Sequence, residues 1–336
     1  MPPWDIFSPT AGWEGNFWID TGHGDDARAR YVAEMNKVPQ LTRPGETYVY
    51  CNSGFALAGR IIEVVTGLTF EVAMHELVIA PLDLQHTFYF PGEVMMRRFA
   101  VGHNVSPETV EVTGPWMIPR NRHRAVGVAS SVLDQLRYAR FHLSEKEGRR
   151  VLAPVSLRTM HTPVCNAEFG TQRALAWGVR QTDDVQVGFH DGDTRGQYAS
   201  LYLAPNAGFA IPVLTNSNWS TLKQTIVAEA LRTYLGVADR PPQPIHVPDA
   251  DEARVIGRHT GQIAAIELRR NNGALTFSWV PETSIGMSSE SSPVAFCATD
   301  CLVLLETGAT ADLLRDATGD VVWVRFWGSL YRHVVP

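Results

Sequence analysis

Apolar and polar positions follow one rhythm in the first two thirds of the chain and another in the last third. In the first part, dense apolar clusters alternate with strand-like runs. Ala56 to Val65 is such a cluster and stops at Gly67, which predicts a helix. Thr69 can cap a second helix running to Ile79, where Pro81 ends it. Residues 198–204 and 209–215 read as an antiparallel hairpin across Pro205-Asn206-Ala207-Gly208. Pro212 cannot donate to a ladder, so it is expected at a bulge or with its nitrogen turned from the neighbouring strand. A third helix follows, with Ser220 as N-cap, Leu222, Val227, Leu231 and Tyr234 near helical spacing, and Gly236 closing the end.

The run Asp239-Arg240-Pro241-Pro242-Gln243-Pro244 can continue neither a helix nor a sheet. Beyond it the period changes to two. Ile266 and Leu268 alternate with charged neighbours, Asn271-Asn272-Gly273 offers a turn, and Leu275, Phe277 and Trp279 alternate again. Cys301 to Glu306 and Val321 to Trp327 also read as strands, with Asp316-Ala317-Thr318-Gly319 as a turn before the second. No internal repeat is visible. The pattern predicts a mixed helix-and-strand domain over 1–238, a linker over 239–247 and an all-β module over 248–336.

Composition narrows the function classes. The 336 residues are 45% hydrophobic and 19% charged with a net charge of −6, which argues against nucleic acid as the main partner. Basic residues are scattered, and pairs such as Arg149-Arg150 and Arg269-Arg270 read as solvated surface. No apolar run approaches the roughly 20 residues of a membrane helix, so no transmembrane segment is expected. Met1-Pro2-Pro3-Trp4-Asp5 has neither a basic nor an apolar signal region, which leaves the compartment open. Four cysteines are too few for a disulfide scaffold. Cys297 and Cys301 read as packed thiols and His23 as a loop residue, so neither a metal nor a cofactor is expected. Oligomeric state cannot be read.

Chemistry is concentrated in Pro44-Gly45-Glu46-Thr47-Tyr48-Val49-Tyr50-Cys51-Asn52-Ser53-Gly54-Phe55, followed by Leu57-Ala58-Gly59-Arg60 and a helix ending in Thr66-Gly67. Tyr-x-Asn alone arises often by chance. With Pro-Gly before it, that helix after it and His190-Asp191-Gly192 opening a later strand, it becomes specific. Here the chain resembles the penicillin-recognising serine hydrolases: class C β-lactamases and their DD-peptidase and esterase relatives. Pro81-Leu82-Asp83-Leu84-Gln85-His86-Thr87, Val126-Gly127-Val128-Ala129-Ser130-Ser131 and Leu214-Thr215-Asn216-Ser217 fit further segments in the right order, and the likeness covers roughly residues 8 to 235.

The resemblance implies an α+β fold (an α/β sandwich) in which an antiparallel sheet is flanked by helices. It also implies hydrolysis of an ester or amide through an acyl-serine, with a small-molecule or peptide substrate. Tyr50 would be the base, its pKa lowered from about 10 by nearby cations. His190, titrating near neutrality, would be the substrate-side group. Asn52 offers a donor and an acceptor, which suits a substrate amide or the catalytic lysine. Gly192 lets the strand approach the substrate, and the backbone N–H of Asp193 would form half of an oxyanion hole. Cys51, where the family has Ser or Ala, and Asp191 are departures. A negative charge at Asp191 is expected to oppose a carboxylated substrate, which points away from a penicillinase.

The family's Ser-x-x-Lys nucleophile should lie well upstream of Tyr-x-Asn. The only lysines are Lys37, Lys146 and Lys223, so Ser220-Thr221-Leu222-Lys223 is the sole match; it follows the third motif and reads as a helix cap. Ser8-Pro9-Thr10-Ala11-Gly12 resembles a segment that normally comes after the nucleophile helix. The chain is therefore expected to begin downstream of the nucleophile and to be inactive as it stands. Two rival expectations are a pseudoenzyme that binds a peptide or acyl ligand in the Tyr50/Asn52/His190 cleft, and a β-module that binds sugars or peptides through Trp279, Trp323 and Trp327.

Overall fold

The computed structural model describes residues 4–334 apart from 107, 115–117, 149, 195, 218–219, 239 and 282–288. Helix α1 (Asn52–Thr66) starts where the Cys51 thiol accepts the Gly54 N–H at 3.2 Å, and it ends at Gly67 with φ +71°. The unusual cysteine is thus the helix cap. Thr69 adopts the extended N-cap geometry without a side-chain bond, and α2 (Phe70–Met74) passes into a single π-turn over His75–Ile79. Buried Arg28 pairs with Glu63 of α1 and, at 3.3 Å, with Glu71 of α2, which ties these helices together.

A six-stranded antiparallel sheet takes its strands in chain order: β1 (Cys165–Asn166), β2 (Gln172–Arg173), β3 (Gly178–Thr182), β4 (Val185–Thr194), β5 (Gln197–Ala204) and β6 (Phe209–Thr215). One face carries α3 (Val132–Leu143), whose Ala139 packs with Trp177, Val179, Leu201 and Leu203. The other carries α5 (Ser220–Leu235), whose Val227 and Leu231 pack on Val187 and Val213; α4 (Pro154–His161) lies between α3 and α5 in sequence. The side chain of Ser220, the expected cap, lies outside the described residues. Strand β6 pairs only with β5 among the described residues, in an unbroken register that sets Pro212 opposite Leu201. There is no bulge; an edge strand leaves the proline nitrogen free to face away from the ladder.

After a short helix over Asp249–Ala253, eight antiparallel strands close into a barrel. They are β7 (Gly257–Thr260), β8 (Ala264–Asn271), β9 (Ala274–Pro281), β10 (Glu290–Ala298), β11 (Cys301–Leu304), β12 (Thr310–Arg315), β13 (Val321–Phe326) and β14 (Ser329–His333). Arg332↔Thr260 and His333↔His259 close the ring. Ile266, Leu268, Phe277, Phe296, Leu302, Val324 and Phe326 are among the side chains that fill it. The sequence pattern missed β7, β10, β12 and β14. Pro293 and a register shift near Phe296 disrupt β10, and outward-facing Asp312 breaks the apolar run of β12 because its partner is a buried arginine.

That arginine docks the barrel on the α+β region. Arg325 of β13 donates to Asp312 Oδ2 through Nε and Nη2 at 2.9 and 2.7 Å. It also donates to the Tyr48 carbonyl at 3.3 Å and to the Ala167 carbonyl, while Asp312 Oδ1 accepts the Phe169 N–H at 3.1 Å.

Candidate active site

Tyr50 stands two residues before α1 proper and Asn52 is its first residue, so the helix start fixes both. The segment is held from two sides. The Tyr50 N–H donates to the Gly328 carbonyl in the β13–β14 turn at 2.9 Å. On the other side, Gly15 presses so close that a Cβ there would stand 1.8 Å from the Tyr50 carbonyl oxygen, so only glycine fits. Asn52 Nδ2 donates to Asn16 Oδ1 at 3.4 Å, and Asn16 Nδ2 donates to Ser329 Oγ at the same distance. The Ser8–Gly12 segment also lies here, its Pro9 carbonyl accepting the Val49 N–H at 2.9 Å.

Strand β4 presents alternate residues to opposite faces. His190 is paired across the ladder with Leu201 and shares its face, toward α3. Asp191 points the other way, toward α5. It accepts from buried Ser200 Oγ and pairs with buried Lys223 at 3.3 Å. The expected clash of Asp191 with a carboxylated substrate is therefore corrected: its charge is turned from the His190 face and matched by a cation. Lys223, from the lone Ser-x-x-Lys spacing, is engaged in that pair, on the face opposite His190. A Cβ added at Gly192 would meet nothing within 4 Å, so the space before the strand is open.

A residue that sequence reasoning missed links these groups. The Arg173 guanidinium of β2 lies 4.8 Å from the Tyr48 ring centre and 3.4 Å from Glu168. Its charge is felt at both Tyr50 and His190, and Asp193 is felt at Tyr50, so the four share one electrostatic neighbourhood. No motif in Thr171-Gln172-Arg173 marks it. Burial raises the Tyr50 pKa, with Arg173 opposing and Asp193 reinforcing the shift. The expected lowering is thus reversed, because one cation does not offset desolvation. His190 is lowered by burial and then by Arg173, against the pull of Asp191, which favours its neutral form. The Asp193 carboxyl is raised by desolvation, against the charge of Lys223.

Elsewhere, Cys297 Sγ donates to the Cys301 carbonyl at 3.6 Å, and no disulfide joins any of the four cysteines. Among the described residues no cluster of three or more His, Cys, Asp or Glu gathers to hold a metal, and no helix is long and apolar enough to cross a membrane. Of the three barrel tryptophans singled out, Trp279 is buried with its Nε1–H donated to the Tyr331 oxygen at 3.1 Å, and the Arg332 guanidinium lies 5.8 Å from the Trp323 ring centre. Only Trp327 stands among the exposed large apolar residues.

Helices on both faces of an antiparallel sheet, with Tyr-x-Asn at a helix start and His-x-Gly on an inner strand, define the β-lactamase/transpeptidase-like fold. The sequence profile of the Beta-lactamase family matches residues 3–232, and the chain belongs to that family. It is 32% identical over 244 residues to Penicillin-binding protein 4 of Amycolatopsis lactamdurans, covering 69% of this chain and 62% of that protein. It is 25% identical to a D-aminopeptidase of Gluconobacter oxydans, over 80% of this chain and 50% of that one. The chain thus spans between half and two thirds of the length of these two relatives. Among solved structures, SurE superimposes over 98% of this chain and 78% of its own with a TM-score of 0.79 at 24% identity. An octameric penicillin-binding protein homologue from Pyrococcus abyssi covers 97% of this chain and 72% of its own at a TM-score of 0.59 and 19% identity. These two support the fold.

Proposed function

We propose that the chain carries the proton-transfer and substrate-positioning half of a serine hydrolase site that acts on an ester or amide through an acyl-serine. The observation that carries this reading is the placement of Tyr50 and Asn52 at the start of α1, held by Gly328 and Asn16, with His190 on a strand that leaves open space at Gly192. There Tyr50 exchanges the nucleophile's proton, and neutral His190 donates to or accepts from the substrate. Asn52 binds a substrate amide, and the Asp193 N–H faces the developing oxyanion. The name of one sequence relative, a D-aminopeptidase, favours an amide of a D-amino acid as the first substrate to try. Lys223, the one lysine with Ser-x-x-Lys spacing, is engaged by Asp191 and is not offered as the partner of the attacking serine.

A second reading has its own support. A tyrosine with a raised pKa and a neutral histidine form a hydrogen-bonding cleft without a ready base, which suits a non-catalytic binder of peptide or acyl ligands. The test for both is one experiment on the purified chain. Under either reading N-acetyl-D-alaninamide binds saturably, p-nitrophenyl acetate is not turned over above background, and intact mass shows no acyl adduct. Turnover that disappears in Tyr50→Phe would sink the binder and place a nucleophile within the chain. Absence of binding, or binding indifferent to Asn52→Ala, would sink both.

A further inference from the structure

Two turns of the barrel have the same shape and opposite logic. Asn272-Gly273 joins β8 to β9 with φ of 50° and 84°, the residue pair that such a two-residue turn favours. Trp327-Gly328 joins β13 to β14 with φ of 49° and 73°. A bulky side chain in the left-handed region is strained, and such strain gathers at functional sites. Folding of the barrel does not call for it, since the first turn shows the ordinary solution. Nor does packing bury the indole: Trp327 stacks on Phe326 at 4.3 Å between centres yet remains 55% exposed.

The strained turn is the one that touches the candidate site. Gly328 holds the Tyr50 N–H, and a Cβ there would stand 2.5 Å from the Tyr50 Cβ. Ser329, the next residue, reaches Asn52 through Asn16. Arg325, two residues before Trp327, pins the hairpin to Tyr48. The turn is thus fixed beside Tyr50 and Asn52 with an uncovered indole at its tip.

We propose that Trp327 is a specificity-determining residue: its indole forms a wall of the substrate site that selects an aromatic or bulky apolar side chain next to the scissile acyl group. This rests on the reading of the Tyr50/Asn52 cleft as the substrate site. The barrel then contributes to recognition from its rim, not from its filled interior.

The test compares binding of N-acetyl-D-phenylalaninamide and N-acetyl-D-alaninamide to the whole chain by calorimetry or saturation-transfer NMR. Trp327→Ala should weaken the phenylalanine probe by up to about tenfold, the scale of one aromatic contact, and leave the alanine probe within about twofold. Trp327→Asn installs the favoured turn pair, so it should raise the melting temperature while removing the preference for the aromatic probe. A purely structural tryptophan would not separate those two readouts. Equal affinity of both probes for all three proteins, with Asn52→Ala still weakening both, overturns the proposal and leaves the site reading standing. No effect of Asn52→Ala on either probe, or no binding of either, overturns the site reading and this proposal together.

Discussion

The barrel and the α+β region solve the problem of burial differently. In the barrel, pairing returns to its starting strand and apolar side chains fill the interior, so no strand of the ring is left with a bare edge. The α+β region keeps β6 paired on one side, leaves open space at Gly192 and buries charged and polar groups among its helices. Those groups include Arg28 with Glu63 and Glu71, and the pair His142 and His161. A self-sufficient unit thus stands against one whose polar interior suits a site. The contact between them falls on the Tyr-x-Asn segment.

The largest expected effect comes from cutting that contact. Arg325→Ala leaves Asp312 buried without its partner and removes the bonds to Tyr48 and Ala167. A loss of about 3–5 kcal/mol is expected in denaturant unfolding, the usual scale for orphaning a buried charge. Exchange is expected to rise in β12 and β13, which carry the pair, and around Tyr48 and Tyr50; a rise confined to the barrel would show that the contact does not couple the two regions.

Acid sharpens the comparison next. His142 Nδ1 and His161 Nε2 lie 3.0 Å apart, and burial holds their pKa values down at about 3 and about 4. Both fall below the unfolded value of about 6.5, so the neutral folded pair contributes stability that is full above that pH. It is lost as pH falls from about 6.5 toward 4, because the unfolded chain takes up protons that the folded one refuses. The barrel's His259 behaves alike, lowered to about 4 by burial. With His190 lowered by burial as well, three such groups against one predict that exchange protection in the α+β region drops more than in the barrel between pH 7 and about 4.5, by on the order of 2 kcal/mol or more. Equal losses would contradict that assignment.

The smallest effect concerns the cap. Cys51→Ala removes the thiol that receives the Gly54 N–H and should cost about 1 kcal/mol in the unfolding midpoint, whereas Cys51→Ser should cost little.

Legibility also differed between the regions. The motif order, the α1 boundary at Gly67, the β5–β6 hairpin and the Asn-Gly turn were all readable because each rests on local backbone rules. Barrel closure was not. Strands such as β12 and β14 carry charged residues whose partners lie far off in sequence, and no local period announces a ring. At the site, Tyr50, Asn52 and His190 stand out by motif, but the expected lowering at Tyr50 runs opposite to the effect of its burial, and the expectation for His190 left burial out. Desolvation is a property of the assembled fold. Arg173 and Gly328 gave no signal, since they matter only through what the fold sets beside them, and Trp327 was marked only as a ring on the separate β-module.

The closing ladder between β14 and β7 has a consequence in time. On the ribosome, β7 emerges early and waits unpaired on that side until Arg332 and His333 appear. The carbonyl that grips Tyr50 and the guanidinium that grips Tyr48 belong to the same late hairpin. Tyr50, made long before that hairpin, therefore acquires its final surroundings only once the hairpin has followed. A nascent chain caught before that hairpin would hold Tyr-x-Asn and His-x-Gly and still lack the finished site.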